Sequence, residues 1–368
     1  MYRDLLYQIA LTLTPNLGPV QTKLLVEQFG SAEDIFKASL SRLMNIEGIG
    51  EVRARSIKGF DQFEAAEEEI RFVEKFNIQP LFLTDKNYPQ RLLNCYDTPS
   101  LLYYKGSINL NASKVISIVG TRKNTEYGKH VTDNLVRDLA SLNVIVVSGL
   151  AFGIDAIAHK ACLKNNVPTI GVLAHGLDDV YPPHHVGIAM DMMDNGGLLT
   201  EFLSRTKPDK YNFPSRNRIV AGLSDATIVI ETGNKGGSMI TAELANGYNR
   251  DVFAFPGKAT DQKSAGCNSL IRNNKALLLT DARELIESMG WEENTNRKRD
   301  TNKQKALFIE LSPDERIIIE ILKESESVHI DEINFRSNLS SSMVAAAILN
   351  LELQNVIICL PGKRYCLC

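Results

Sequence analysis

Apolar runs that break at glycine-rich turns dominate the middle of the chain. They read SIVGTRKNTEYG (117–128), VIVVSGLAFGIDAIAH (144–159), TIGVLAHGLDDVYPPHH (169–185), NFPSRNRIVAGLSDATIVIETGNKGGSMITAE (212–243) and VFAFPGK (252–258). Each opens with the pattern of a buried strand, and several continue into a helical period. The pattern predicts strands at Val115–Val119, Val144–Ser148, Thr169–Leu173, Gly197–Thr200, Ala226–Ile230, Asp251–Phe255 and Ala276–Leu279. Helical patterns separate most of them, which argues for an α/β, doubly wound, Rossmann-like parallel sheet. In such a sheet the turns gather at the carboxyl edge, where ligands bind.

The flanks have other periods. Residues 1–75 read as helical, with Leu5, Leu6, Ile9 and Leu13, then Leu24, Leu25 and Phe29, at helical spacing. Two short hairpins, TPNLGP (14–19) and IEGIG (46–50), interrupt them, and Arg53 and Arg55 follow the second. Helix, Gly-x-Gly hairpin, helix is the helix-hairpin-helix pattern, whose turn amides can meet a phosphate; a plain helical bundle gives the same pattern. Residues 76–110 read as a polar connector with short strands in PLFLTD and LLYYKG, and the α/β domain spans 111–291. The stretch 292–310 is polar and of mixed charge, the composition of a linker. In 311–368, Ser312-Pro313-Asp314-Glu315 is a helix start, a second helix runs from about Ser340 to Leu353, and VIICLPGKRYCL gives two strands around Pro361-Gly362. That order is winged-helix-like. Its recognition helix carries no Arg or Lys, so a protein contact or dimer role is expected rather than base reading.

Composition narrows the class. A chain of 368 residues with 44% hydrophobic and 23% charged residues is a soluble protein of two or three domains. Its net charge of −3 argues against a general nucleic-acid coat, so any anion site is local. Six cysteines without CxxC spacing indicate neither zinc nor a disulfide framework. No apolar stretch has the length of a membrane span and no signal peptide is seen, so a cytoplasmic location is expected.

The turns carry the candidate chemistry. Gly120, Thr121 and Arg122 form an amide-lined turn with a cation, suited to a phosphodiester. Ser148 and Gly149 open a second turn, followed by Asp155 and His159 on one helix face; a hydrogen-bonded pair is the ordinary reading of these two, a metal or proton relay the other. His184-His185 reads as loop structure. Lys210 and Phe213 precede Arg216 and Arg218 at a helix start, and cations interleaved with aromatics suit single-stranded nucleic acid. An internally paired Arg-rich helix cap is the plainer alternative. Gly236, Gly237 and Ser238 make another glycine-rich cradle before a helix. The G-x-G-x-x-G fingerprint and the Walker A sequence are both missing.

Together these segments resemble the DprA/Smf family of DNA-processing proteins. The resemblance rests on Gly120, Arg122, Tyr127 and Gly128; the run from Ser148 to His159; Gly176–Pro182; Phe213–Arg218; Gly237–Ala242; Phe255–Gly257; and Gly266–Ile271. It implies a helical N-terminal module, an extended Rossmann-like core and a C-terminal winged helix. It also implies single-stranded DNA binding without catalysis or cofactor, in a recombination mediator that loads RecA during natural transformation. The expected partners are single-stranded DNA, RecA, a second copy through the Rossmann-like domain, and single-strand-binding protein. The matching contacts are Arg122, Lys210 and Phe213, with Gly120 and Arg216 along the same edge. The family commonly has Ser-Gly-Ser where this chain has Gly236-Gly237-Ser238, which removes one hydroxyl. The alternative is a Rossmann-type nucleotide-processing enzyme of the phosphoribohydrolase kind, with Glu243 as its acid. A scaffold working through protein contacts is a third reading.

Overall fold

The computed structural model describes residues 2–291, 311–354 and 356–367. The linker expected over 292–310 lies outside the described residues. The chain forms two compact units, Met1–Leu278 and Leu279–Cys368.

Six helices open the first unit: α1 (Tyr2–Leu13), α2 (Pro19–Phe29), α3 (Ala32–Lys37), α4 (Leu40–Met44), α5 (Gly50–Lys58) and α6 (Phe63–Lys75). Local chemistry sets their ends. Ser31 and Ser39 accept the amides of Asp34 and Arg42 as N-caps of α3 and α4. Pro19 starts α2 and Gly30, at φ 82°, ends it. The hairpin before α5 needs Gly48 and Gly50 at φ 85° and 62°. Arg53, a cation that could have faced a phosphate, donates instead to the carbonyls of Asn16 and Gly48, each at 3.1 Å. It ties the two hairpins together.

A nine-stranded sheet follows. Its elements are β1 (Gln79–Phe82), α7 (Gln90–Leu93), β2 (Leu101–Gly106), β3 (Val115–Val119), α8 (Glu126–Leu139), β4 (Ile145–Ser148), α9 (Ile154–Lys164), β5 (Thr169–Val172), α10 (Val186–Asp191), β6 (Gly196–Thr200), α11 (Asn212–Gly222), β7 (Ala226–Val229), α12 (Gly237–Gly247), β8 (Asp251–Ala254), α13 (Ala265–Arg272) and β9 (Leu277–Leu278). The strand order is β1-β2-β6-β5-β4-β3-β7-β8-β9. Every pair from β6 through β9 in that order is parallel. β1 and β2 are antiparallel and extend the sheet beside β6, with Tyr104 opposite Leu199. The segment read as a connector thus supplies two strands. Gly106 and Gly197 let β2 and β6 approach: a side chain at Gly106 would sit 2.6 Å from the Gly197 Cα.

The parallel strands β3, β4, β5 and β7 are buried at every position. Helices over both faces make their sequences near-continuous apolar runs rather than alternations. One apolar core runs from Ile9 in α1 through the sheet to Leu270 in α13. The helical module therefore shares its core with the sheet.

The second unit contains α14 (Ala282–Ser288), α15 (Pro313–Lys323), β10 (Val328–His329), α16 (Ile330–Ser337), α17 (Ser341–Leu353), β11 (Ile357–Leu360) and β12 (Arg364–Leu367). Ser312 and Glu315 form a reciprocal capping box at α15. The strands make an antiparallel sheet in the order β10-β12-β11. Ile318, Leu322, Ile333, Val344 and Leu351 belong to a core of its own. Three helices and a small antiparallel wing are the winged-helix arrangement. Among the described residues no helix is long and apolar enough to cross a membrane.

Candidate nucleic-acid interface

Strand order reverses between β3 and β7: β4, β5 and β6 lie to one side, β8 and β9 to the other. Chain segments leave the carboxyl ends of adjacent strands in opposite directions there, which opens a crevice. A cleft of about 1670 Å³ occupies it. Its walls are the turn after β3, the turn after β4, the loop from Lys207 into α11, and the turn from Thr232 into α12.

The turn after β3 is held from beneath. Thr121 donates its amide to the Glu231 carbonyl at 2.7 Å, and its carbonyl accepts the Ile154 amide at 3.2 Å. Its hydroxyl accepts the Lys123 amide at 3.2 Å. Gly120 is required by packing, since a side chain there would meet Ile154 Cγ1 at 2.5 Å. The Glu231 carboxylate is buried and takes the Thr125 amide and hydroxyl, each at 2.9 Å. Anchored this way, the turn presents Arg122 outward. Arg122 is exposed and has no ion-pair partner among the described residues; its guanidinium lies 5.3 Å from the centre of the Phe213 ring. Phe213 is half-buried, with Tyr181 6.1 Å away, and Lys210 stands exposed over Tyr211 at 4.9 Å. The start of α12 lines the same cleft, an anion-favouring end with Gly236, Gly237 and Ser238, and Asn217 of α11 donates to the Gly237 carbonyl at 3.2 Å. The first-turn amides of α12 have no partner further up the helix.

Four expected contacts have other work. Ser148 is fully buried and donates to the Ile118 carbonyl at 2.6 Å. Arg218 is buried, paired with Glu201 and bonded to the Asp97 carbonyl. Arg216 lies at the cleft floor, 5% exposed, bonded to the Val172 carbonyl beside Asp155. The Ser238 hydroxyl donates to Thr232 Oγ1 at 2.8 Å. An apolar helix that must also dock on a sheet turns its arginines inward when buried acceptors await them, and Glu201 and Asp155 are such acceptors. Gly149 leaves room for the Asp155 carboxyl and the Arg216 guanidinium, which a side chain there would strike.

Burial governs the titratable groups at the floor. It pushes the Asp155 carboxyl up to about 6, opposed chiefly by Arg216 and the Ala151 amide. Burial also pulls His159 down to about 4, so its imidazole is neutral. Nε2 donates to the Gly149 carbonyl at 2.6 Å and Nδ1 meets Thr169 Oγ1 at 2.8 Å. Both ring nitrogens are occupied, so Asp155 and His159 form no metal pair. His185 is buried on the Leu150 carbonyl at 2.8 Å. Glu243 lines the cleft, but Lys275 holds its carboxylate at 2.7 and 2.9 Å.

The site also includes Tyr181 and Asn217, which belong to the motifs but were given no contact role, and Lys207 and Lys235, which the motifs did not single out. Lys235 sits within a quoted turn and Lys207 a few residues before one, and their charge was the available signal. Tyr181 reaches the cleft only through tertiary folding.

Residues 79–290 match the model of the family described as DNA recombination-mediator protein A. The chain belongs to the DprA family. Residues 303–363 match the DprA winged helix domain, and 9–70 match a helix-hairpin-helix motif. Protein Smf of Synechocystis is 33% identical over 98% of both chains. The DNA processing protein DprA of Bacillus subtilis is 39% identical over 58% of this chain and 71% of its own. Among solved structures, DprA from Streptococcus pneumoniae superposes with a TM-score of 0.67 at 31% identity, covering 76% of this chain and 96% of its own. DprA from Helicobacter pylori, described for a unique single-stranded DNA binding mode, superposes with a TM-score of 0.52 at 32% identity, covering 57% and 94%. The α/β core, the helical module and the winged helix of this DprA-family chain thus each have their counterpart in known families.

Proposed function

We propose that this chain binds single-stranded DNA in the switch-point cleft. Arg122, Lys210 and Lys207 attract phosphates, the amides at the start of α12 receive one, and Phe213 stacks a base. The observation that carries this reading is the exposed Arg122 guanidinium over the Phe213 ring, in an open cleft that the start of α12 also lines. Cation, ring and amides supply the sequence-tolerant contacts that a single strand offers. The Helicobacter pylori relative, with its single-stranded DNA binding mode, supports the same ligand here. Gly120, Thr121 and Gly149 shape the turns, and Arg216 lends charge from the floor. Ser148 and Arg218 act inside the fold.

On the same reading the protein is a homodimeric, cytoplasmic recombination mediator without catalysis. It takes strands coated by single-strand-binding protein and loads RecA on them during natural transformation. The family's description as a recombination mediator supports this role.

The test is fluorescence anisotropy of a labelled dT strand across a salt series, with duplex and AMP as competitors. Binding is expected to fall with salt, since phosphate contacts release counterions. The double variant Arg122→Ala, Lys210→Ala should lose it while keeping the wild-type melting temperature. Unchanged affinity in the double variant, or binding of AMP with ribose release, would overturn the assignment in favour of a nucleotide-processing enzyme.

A further inference from the structure

We infer that Glu69, on α6 of the helical module, is a positioning residue for the DNA cleft: it clamps the turn at Ser204 from which Lys207, Lys210 and Phe213 are carried. This inference rests on the single-stranded DNA reading above.

Helix α6 carries Glu67, Glu68 and Glu69 in a row. Glu67 pairs with Arg71 on its own helix and Glu68 takes the Arg205 guanidinium at 3.0 Å in an exposed ion pair, whereas Glu69 is 5% exposed. Its carboxylate accepts the Ser204 amide on both oxygens, at 3.0 and 3.1 Å, and the Ser204 hydroxyl at 2.5 Å. Asp178 holds the backbone of the same turn: it accepts the Arg205 amide at 2.9 Å. The Thr206 carbonyl takes the Gly176 amide at 3.1 Å. Between these anchors Arg205 adopts φ 65°, a left-handed conformation that a non-glycine residue keeps only when its surroundings impose it. The chain then leaves the anchored turn directly into the cleft wall, through Lys207 and Lys210 to Phe213.

The buried carboxylate carries a desolvation penalty that its hydrogen bonds to Ser204 offset in part. Burial disfavours the Glu69 carboxylate, and the nearby Asp178 charge adds to that. The hydroxyl of Tyr103, close enough to feel that carboxylate, is buried without a hydrogen-bond partner among the described residues. An apolar residue would avoid the desolvation penalty but would leave the Ser204 amide and hydroxyl without their acceptor. What the carboxylate supplies is direction: three hydrogen bonds to one residue fix both the position and the orientation of the turn. Lysines on an untethered loop would lose freedom on every binding event, and pre-anchoring the loop removes that cost.

The experiment uses the full chain and the dT anisotropy assay in a salt series, with Glu69→Ala, Glu69→Gln and Ser204→Ala, each alone and combined with Lys210→Ala. Glu69→Ala should weaken binding about tenfold and flatten the salt dependence by about 0.7 in log–log slope for each lysine disengaged. Its effect should shrink in the Lys210→Ala background, since it acts through that lysine. Glu69→Gln, which keeps an acceptor, should recover part of the affinity. Should Glu69→Ala fold poorly, Ser204→Ala removes the hydroxyl contact alone and should shift affinity in the same direction. A Glu69→Ala protein with a lowered melting temperature but wild-type affinity and slope overturns the inference. So does an effect fully additive with Lys210→Ala. Absence of dT binding by the wild type overturns the DNA reading itself, and this inference with it.

Discussion

Gly236 precedes α12 with φ 164°, an extended backbone that any residue adopts, and a Cβ there would come no nearer than 3.7 Å to Thr232 Oγ1. Nothing in the fold demands glycine at this position. Gly236→Ser should therefore fold with an unchanged melting temperature and add a hydroxyl donor at the cleft. A hydrogen bond to a charged group contributes about 1 kcal/mol or more, so dT affinity should rise about fivefold in anisotropy titrations. Phe213 differs in kind, because its contribution is a ring face. Phe213→Ala should lose about 1–3 kcal/mol of binding while the salt slope stays at its wild-type value, because no phosphate contact is removed. Phe213→Trp should restore affinity. Two candidate arginines illustrate what a residue type leaves open: Arg122 is exposed on a ring, whereas Arg218 is buried on Glu201.

At the level of elements, α9 carries two buried groups whose titrations oppose each other. The His159 value lies near 4, below its ordinary 6.5. Its stabilising contribution is present above about pH 6.5 and is lost as pH falls through 4. The Asp155 value lies near 6, above its ordinary 3.8. Its contribution is present below 3.8 and is lost as pH rises through 6. Each amounts to roughly 3 kcal/mol, with opposite sign over nearly the same window. The two contributions therefore offset each other there. Asp155→Asn removes one of the two, so the variant should lose melting temperature more steeply than the wild type between pH 6.5 and 4. Parallel slopes in differential scanning fluorimetry would contradict the assignment. Helix α11 shows the same dependence on tertiary partners, since its polar residues at Arg216 and Arg218 face inward onto acceptors that other elements provide.

Among the described residues, each of the two units has its own main apolar core. One joins α1 to the sheet and α13, and the other lies within the winged helix. Leu351, fully buried in the second, should cost about 2–5 kcal/mol when changed to alanine. Calorimetry should then show one transition lowered and the other unmoved, with dT affinity retained. A single transition shifted as a whole would mean that the units unfold together. The shared core of the first unit also explains why a helical module can bear on the cleft at all: Glu69 reaches Ser204 only because α6 is packed against the sheet.

The strands were legible because helices on both faces make them continuous apolar runs. The turns were legible because close approach requires glycine, as at Gly120 and Gly149. Those two signals placed the sheet and its carboxyl edge in the sequence alone; Arg122, Lys210 and Phe213 were candidates through their charge, their aromatic neighbours and the family resemblance. Pairing of the connector strands with β6 was not legible, since antiparallel partners distant in the chain leave no local period. Nor was the direction of each side chain. Ser148, Arg216 and Arg218 have the same composition as surface contacts, and only the buried carbonyls and carboxylates they meet in the fold turn them inward. Tertiary structure likewise decided that Lys207, Tyr181 and Lys235 share one cleft, because a switch point gathers residues by strand order, not by chain order.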